Sequence, residues 1–166
     1  MTTGATIHEL ARQVRRDTLA VLLAADASWL TYAPPGTSNH ILWHAGHALW
    51  LVDVLGIELL GGRSELPPGW AETFGMNCRP PNQTNDWPSQ SELAGLLQRQ
   101  LQRLLNLLDA ASDQQLAQPA DLSRGPAPIS ARIIHGLHDE AKHCGEMYLL
   151  LKLCRANNGR IGPLDR

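Results

Sequence analysis

The sequence predicts an all-α fold, a four-helix bundle with a long loop between its second and third helices. Three observations support this prediction. Four segments place apolar residues at the i, i+3, i+4 spacing of an amphipathic helix. The stretches between them are rich in Pro and Gly, which end helices. No segment alternates apolar and polar residues over the length of a convincing strand. Helices that each bury one apolar face pack side by side as a bundle.

The first two helices lie in the N-terminal part of the chain. Thr6 and Glu9 match a capping box, and the apolar residues that follow predict a helix that ends before Pro34. A Gly-Thr-Ser stretch then offers a second start signal. The segment from about residue 38 to 60 is typical of a helix, and Gly61 is expected to stop it.

The third and fourth helices follow a long connection. Residues 61–88 are rich in Pro and Gly, and we expect this loop to pack as a lid. Its large aromatic residues are Trp70, Phe74 and Trp87. Ser89 with Glu92 makes a second capping-box match ahead of a regular leucine stripe. After another Pro-containing connection, Ser130 is placed to cap the last helix, which we expect to end at about Asn157.

Length, charge and composition limit the classes of function. A chain of 166 residues is the usual size of one domain, so we expect residues 1–166 to form a single domain. The net charge of -2 provides no basic surface for phosphates, so nucleic acid is not expected as a partner. The sequence has neither a signal-peptide pattern nor an uncharged apolar run of roughly 18 residues, which favours a cytoplasmic protein without a membrane partner. Cys78, Cys144 and Cys154 have no paired ligand spacing and are expected to be reduced thiols.

Two of the predicted helices carry nearly all the histidines. His40, His44 and His47 lie at i, i+4 and i+7 within NHILWHAGHALW, so they share one inward-facing stripe of the second helix. The fourth helix carries a second stripe of potential ligands. That stripe consists of His135, Asp139, His143 and Glu146. The two remaining histidines, His8 and His138, are expected at the periphery.

Imidazoles and carboxylates that face each other across a helical bundle make a recognised kind of metal site. Neutral imidazole and carboxylate groups suit zinc, nickel or iron(II). Three protein ligands would leave one position for water or substrate. The alternative is a set of ordinary core histidines that are hydrogen-bonded to backbone groups. The confinement of six of the seven histidines to two helices, with an acid four residues before one of them, favours the metal site.

The histidine-bearing segments resemble those of the DinB/YfiT-like superfamily of four-helix-bundle metalloproteins, and the resemblance covers nearly the whole chain. TSNHILWHAGH resembles the second-helix pattern of this family, whose ligating histidine falls on His44. HDEAKHCGEM resembles its fourth-helix pattern, whose ligating histidine falls on His143. Many members have another histidine four residues earlier, where this chain has Asp139. A carboxylate there resembles the branch related to mycothiol-dependent maleylpyruvate isomerases. The resemblance therefore implies His44, Asp139 and His143 as metal ligands.

The same resemblance implies an enzyme that uses a divalent metal ion, zinc or nickel first and iron second. A metal-activated thiolate would serve a thiol transferase or isomerase with a low-molecular-weight thiol as cosubstrate and a small molecule as substrate. Activated water would instead serve a hydrolase. His47 lies one turn past His44, so it is a candidate catalytic base or a fourth ligand. Glu146 is a candidate for orienting an imidazole from outside the metal's ligand set.

A second class of function remains open from the sequence. The ion, or a network of buried imidazoles, would only stabilise the bundle, which would act as a dimeric binding or stress-response module. Exposed leucines on the first or third helix would supply the seam of a homodimer. A closed sphere of four protein ligands would favour this structural role, whereas three ligands plus solvent would favour chemistry.

Overall fold

The computed structural model describes residues 2–37, 39–76, 87–122 and 125–156. As the sequence predicts, the fold is all-α and its long helices form a bundle. These helices are α1 (Thr3–Ala24), α2 (Ile41–Val52), α4 (Gln90–Ala110) and α6 (Ile129–Ala156). Two short helices, α3 (Trp70–Phe74) and α5 (Asp113–Leu116), lie in the connections. In the part of the chain that is described, no helix has both the length and the apolar character needed to cross a membrane.

Two of the predicted helix starts can be compared directly with the caps. The prediction for α1 is wrong by one turn: the Thr2 side chain accepts from the backbone N–H of Ala5, and Thr6 and Glu9 lie inside the helix. The prediction for α4 is confirmed. Ser89 accepts from the Glu92 backbone N–H, and the Glu92 carboxylate accepts from the Ser89 backbone N–H. Both boxes have the same sequence pattern, so the surrounding fold decides which one forms a cap.

The starts of α2 and α6 also differ from the prediction. His40 caps α2, because its Nδ1 accepts from the Trp43 backbone N–H at 3.1 Å. Past Val52 the helical backbone continues as a π-helical turn over Asp53–Ile57, close to the predicted end. Ser130 lies inside α6 and does not cap it, since the helix begins at Ile129. The predicted end at Asn157 lies just outside the described residues.

A short β-hairpin precedes α6, in a segment that has no strand signal in the sequence. Its strands are β1 (Pro119–Leu122) and β2 (Gly125–Pro128), which pair antiparallel with Pro119 opposite Pro128. Each strand has four residues, and prolines lack the N–H group that a ladder uses. A Pro-rich hairpin this short is difficult to recognise from the sequence.

The core contains two apolar clusters, one towards each end of the bundle, and they define the helix directions. One cluster contains Leu22 near the end of α1 and Leu150 near the end of α6, with the first halves of α2 and α4. The other contains Ile7 and Ile133 from the beginnings of α1 and α6, with the later parts of α2 and α4. Thus α1 and α6 run in one direction, and α2 and α4 in the other. Since α6 packs against α2, the two histidine stripes lie on neighbouring antiparallel helices.

A buried ion pair lies between the two apolar clusters. Arg15 Nε on α1 is 2.8 Å from Glu140 Oε1 on α6, and these side chains are 2% and 0% exposed. Arg15 also donates to the Leu97 carbonyl and to Gln100 Oε1 of α4, and Gln100 Nε2 donates to the Leu49 carbonyl of α2. The network therefore joins all four long helices. In the sequence, this network is marked only by a charged residue within the apolar stripe of α1 and another within that of α6.

Candidate metal centre

The second helix brings three histidines into the core, in agreement with the predicted stripe. His40, His44 and His47 are each 4% exposed. Burial disfavours the protonated ring: it lowers the pKa of His40 to about 4, that of His44 to about 3, and that of His47 below its usual value. The neutral imidazole is the form that binds metal ions. His138 is exposed and His8 is half-buried against α4, so neither belongs to this group.

His44, His143 and Glu146 place three ligand atoms in a compact triangle. Nδ1 of His44 is 2.8 Å from Nδ1 of His143. Oε2 of Glu146 is 3.1 Å from the first nitrogen and 3.0 Å from the second. Ligand atoms held about 2.0–2.1 Å from a tetrahedral zinc ion are about 3.3 Å apart. The triangle is therefore close to the size that surrounds one metal ion.

The chemistry of these three groups also suits a cation. A neutral imidazole has one N–H donor and one acceptor nitrogen, and a carboxylate has acceptor oxygens only. Ligand atoms of all three residues lie within 4.8 Å of one another, so acceptor lone pairs outnumber the protons available to separate them. A shared positive charge resolves this crowding. Histidine nitrogen and carboxylate oxygen are ligands of zinc, nickel and iron, so the residues fit a divalent metal ion.

Asp139 lies beside this triangle and has partners of its own. Its carboxylate is 3.3 Å from His135 Nε2 and 3.0 Å from Lys142 Nζ. Burial alone would raise the pKa of Asp139, but the Lys142 hydrogen bond and the neighbouring positive charges lower it. The Asp139 charge still acts on the rings of His47 and His143. The structure thus brings His44 and His143 together with Glu146, and the ligand role of Asp139 stays a prediction.

His47 is oriented by a backbone carbonyl. Its Nδ1 donates to the carbonyl oxygen of Phe74 on α3, which leaves Nε2 with a free lone pair. The ring stacks on Trp43 with centroids 4.7 Å apart, and its centroid is also 4.7 Å from that of His143. Histidines that bind metal ions commonly donate their other N–H in this way. The arrangement is compatible with either predicted role, a proton acceptor or a fourth ligand.

The helix α3 covers the histidine face of α2. Trp43 Nε1 donates to the Thr73 carbonyl at 3.1 Å, and Trp70 Nε1 donates to the Gly46 carbonyl at 3.0 Å. The Phe74 ring occupies the space beside Gly46 that a Cβ atom would fill. This part of the long loop therefore packs as the predicted lid. Residues 77–86 of the loop lie outside the described residues.

The described cysteines do not join the triangle. Cys144 and Cys154 are free thiols, as predicted, and burial raises the pKa of both. A raised pKa keeps a thiol protonated at neutral pH, whereas metal ligation needs the thiolate. Cys78 lies outside the described residues.

Comparison with known proteins agrees with the fold. Residues 10–147 match the family model of the DinB superfamily. A crystal structure of a conserved protein from Enterococcus faecalis is similar over 94% of this chain and 99% of that chain, with a TM-score of 0.65 and 19% sequence identity. At that identity the likeness shows the fold alone. A comparison with curated proteins gives no match. The family match spans most of the chain and includes both the α2 histidines and His143, and the protein therefore belongs to the DinB superfamily.

Proposed function

We propose that this protein is an enzyme that uses a divalent metal ion to activate a thiol or a water molecule for reaction with a small-molecule substrate. The observation that carries the proposal is the triangle of His44, His143 and Glu146, with ligand atoms within 4.8 Å of one another. Three side-chain ligands leave room in a tetrahedral site for one reactant. Glu146 has a side chain that is 57% exposed, so this corner of the site is accessible from solvent.

The proposed cofactor is zinc or nickel, with iron as the alternative, because the donor set is imidazole and carboxylate. A bound divalent ion lowers the pKa of a coordinated thiol or water molecule. We infer a low-molecular-weight thiol as cosubstrate from the likeness to the isomerase branch, which makes the enzyme a thiol transferase or isomerase. Activation of water in place of a thiol would make it a hydrolase.

The residues around the triangle have complementary tasks in this proposal. The lowered pKa of His44 keeps its ring neutral, so a ligand lone pair is available at neutral pH. His47 Nε2 accepts the proton that the thiol or water loses, since Nδ1 is committed to the Phe74 carbonyl. Trp43 and α3 pack over His47 and shield its ring from bulk water.

The proposal is tested by metal analysis of protein purified without a histidine tag. We expect one zinc or nickel ion per chain, and loss of that ion in His44→Ala and His143→Ala. His138→Ala is the matched control, because this histidine is on α6 but exposed. Absence of a stoichiometric metal, or equal loss in the control, would overturn the metal centre. Retention of metal without turnover in a screen of small thiols with electrophiles, or of hydrolysable esters and amides, would overturn the enzymatic role.

The third ligand is tested with a pair of isosteric variants. Glu146→Gln and Asp139→Asn each remove one carboxylate charge with little change in shape. If Glu146 completes the site, as its distances favour, its variant should weaken zinc binding more strongly in a calorimetric titration. A larger effect of Asp139→Asn would support the ligand set implied by the sequence and would require the Asp139 side chain to exchange Lys142 for the ion.

A further inference from the structure

A groove adjoins the metal-ligand triangle and opens between α6 and the segment before α2. It encloses about 290 Å³, near the lower end of the range of roughly 300–1,000 Å³ that is usual for small-molecule sites. Its lining residues include His44 and Glu146, so a molecule in the groove would touch two of the three proposed ligands. The inference below rests on the proposed function, because it concerns the substrate of that site.

One wall of the groove is apolar. It is formed by Leu149, Leu150 and Leu153 from the last turns of α6. Leu149 is 56% exposed, although the removal of a leucine side chain from water is favourable. A ligand with a hydrocarbon chain or ring would cover this surface.

The opposite wall is polar but carries no charge. It is formed by Gly36, Thr37 and Asn39, from the segment that leads into α2. The Asn39 Oδ1 atom is buried and has no hydrogen-bond partner among the described residues. A buried acceptor without a donor is unfavourable, so an N–H or O–H group of a ligand would supply the missing hydrogen bond.

The charges at the groove disfavour an anionic ligand body. Among the lining residues, which all belong to the described part of the chain, the charged side chain is Glu146, and neither Lys nor Arg contributes. A carboxylate or phosphate away from the reactive end would find no cationic partner here. In the metal-free chain, the Glu146 carboxylate would also repel an anion in this partly enclosed groove.

We propose that this groove binds the body of the substrate, and that the substrate is a small uncharged molecule with an apolar chain or ring and one hydrogen-bond donor. The apolar part lies on the leucine wall and the donor bonds to Asn39 Oδ1. The reactive end then lies beside His44 and Glu146. The remainder of the substrate is selected by shape and by lack of charge.

The test uses three probes of equal size: hexanamide, 2-heptanone and hexanoate. The full ¹⁵N-labelled chain, treated with a chelator, is titrated with each probe and followed by NMR. The chelator removes any bond between carboxylate and metal, so that the comparison reports the groove alone. We expect hexanamide to bind about fivefold more tightly than 2-heptanone, through the bond to Asn39, and hexanoate to bind most weakly. The shifts should map to Thr37, Asn39 and Leu149.

Two variants and one control locate the binding. Asn39→Leu should weaken hexanamide about fivefold and leave 2-heptanone unchanged. Leu149→Ala should weaken both neutral probes, whereas Leu23→Ala should not, because Leu23 is an equally exposed leucine on α1 away from the groove. When the titrations with hexanamide and 2-heptanone are repeated on zinc-loaded protein, hexanamide should again bind more tightly. Equal affinity for hexanoate, shifts outside the groove, or insensitivity to Leu149→Ala would overturn the inference. Zinc affinity is measured separately, so failure of the metal centre would be distinguishable from failure of the groove.

Discussion

At the scale of single residues, the three buried histidines of α2 have separate tasks. His40 caps the helix through Nδ1, His44 belongs to the triangle with His143 and Glu146, and His47 donates to the Phe74 carbonyl. Their spacing in the sequence makes them equivalent, because all three face inward. Their hydrogen-bond partners differ, however. These partners distinguish His40, which has a structural role, from His44 and His47, which belong to the proposed chemistry.

We expect His40→Asn to reduce the loss of stability in acid. Asn retains an N-cap acceptor for the Trp43 N–H but cannot be protonated. The pKa of His40 is about 4 in the folded chain against 6.5 for an exposed ring, so the unfolded chain binds more protons between these values. The free energy of unfolding therefore falls as pH falls through that window, and the His40 contribution is complete above about pH 6.5.

Urea unfolding at pH 7.5 and pH 4.5 checks this expectation. Between pH 7.5 and pH 4.5, the free energy of unfolding should fall by about 2 kcal/mol more in the wild type than in His40→Asn. The comparison isolates His40, because His44 and His47 titrate in both proteins. Identical losses would show that the His40 ring is not held in its neutral form by burial.

The residues of the site were only partly predictable from the sequence. Helical spacing identified the faces that carry His44 and His143, because rotation about a helix follows from residue number. Spacing did not decide between Asp139 and Glu146, which lie on either side of His143 along the same face. Asp139 pairs with Lys142, whereas Glu146 reaches the histidine rings. That choice depends on side-chain rotamers and on neighbours from another helix.

At the scale of elements, the close approach of α3 to α2 depends on Gly46. A Cβ atom at this position would lie 2.3 Å from the Phe74 ring. We expect Gly46→Ala to lower the free energy of unfolding by about 1–3 kcal/mol, because either the ring or the whole of α3 must move. Displacement of α3 would also break the bond that orients His47.

Gly145→Ala is the matched control for this substitution. It is also a helical glycine, but a Cβ atom there would meet nothing within 4 Å. Its only expected effect on folding is the higher helix propensity of alanine, a gain of roughly 0.5–1 kcal/mol. Thermal unfolding of both variants gives the comparison. A stabilised Gly46→Ala protein would mean that α3 does not pack closely on α2.

The elements themselves were predictable where local signals agree with packing. The leucine stripe of α4 lies in both apolar clusters, and its Ser89 cap forms as expected. Thr6 and Glu9 offer the same cap pattern, but α1 begins one turn earlier, where the Thr2 side chain accepts from the Ala5 backbone N–H. The pattern of a capping box therefore does not by itself decide which residue begins the helix.

At the scale of the whole molecule, the Arg15–Glu140 pair connects the two halves of the core. We expect Arg15→Met to lower the free energy of unfolding by about 3–5 kcal/mol, since it leaves a buried carboxylate without a partner. The double variant Arg15→Met with Glu140→Leu should lose less free energy of unfolding than the single variant, because it leaves no buried charge without a partner. Arg103→Met is the control: Arg103 pairs with a Glu65 side chain that is 62% exposed, and such pairs contribute about 0–1 kcal/mol. Denaturant unfolding of the four proteins checks this order, and an equally small loss for Arg15→Met would contradict it.

The homodimer expected from the sequence stays a prediction. Leu23 on α1 is 57% exposed, which is compatible with a seam on that helix. Sedimentation velocity of wild type and Leu23→Glu checks it: the wild type should sediment as a dimer and the variant as a monomer. A monomeric wild type would remove the dimeric module from the possible functions.

Metal removal distinguishes a catalytic ion from a structural one. The apolar clusters contain residues from all four long helices and do not include the ligand triangle, so we expect the chain to remain folded after chelation. Zinc at about 100 times its dissociation constant should then raise the free energy of unfolding by about 2.7 kcal/mol through mass action. Thermal unfolding with zinc and with chelator measures the increment, which should vanish in His143→Ala and persist in His138→Ala. A chain that loses cooperative unfolding on chelation would behave like a small metal-dependent domain. In that case the ion would be part of the scaffold, and the non-catalytic bundle would explain the site better than the enzyme does.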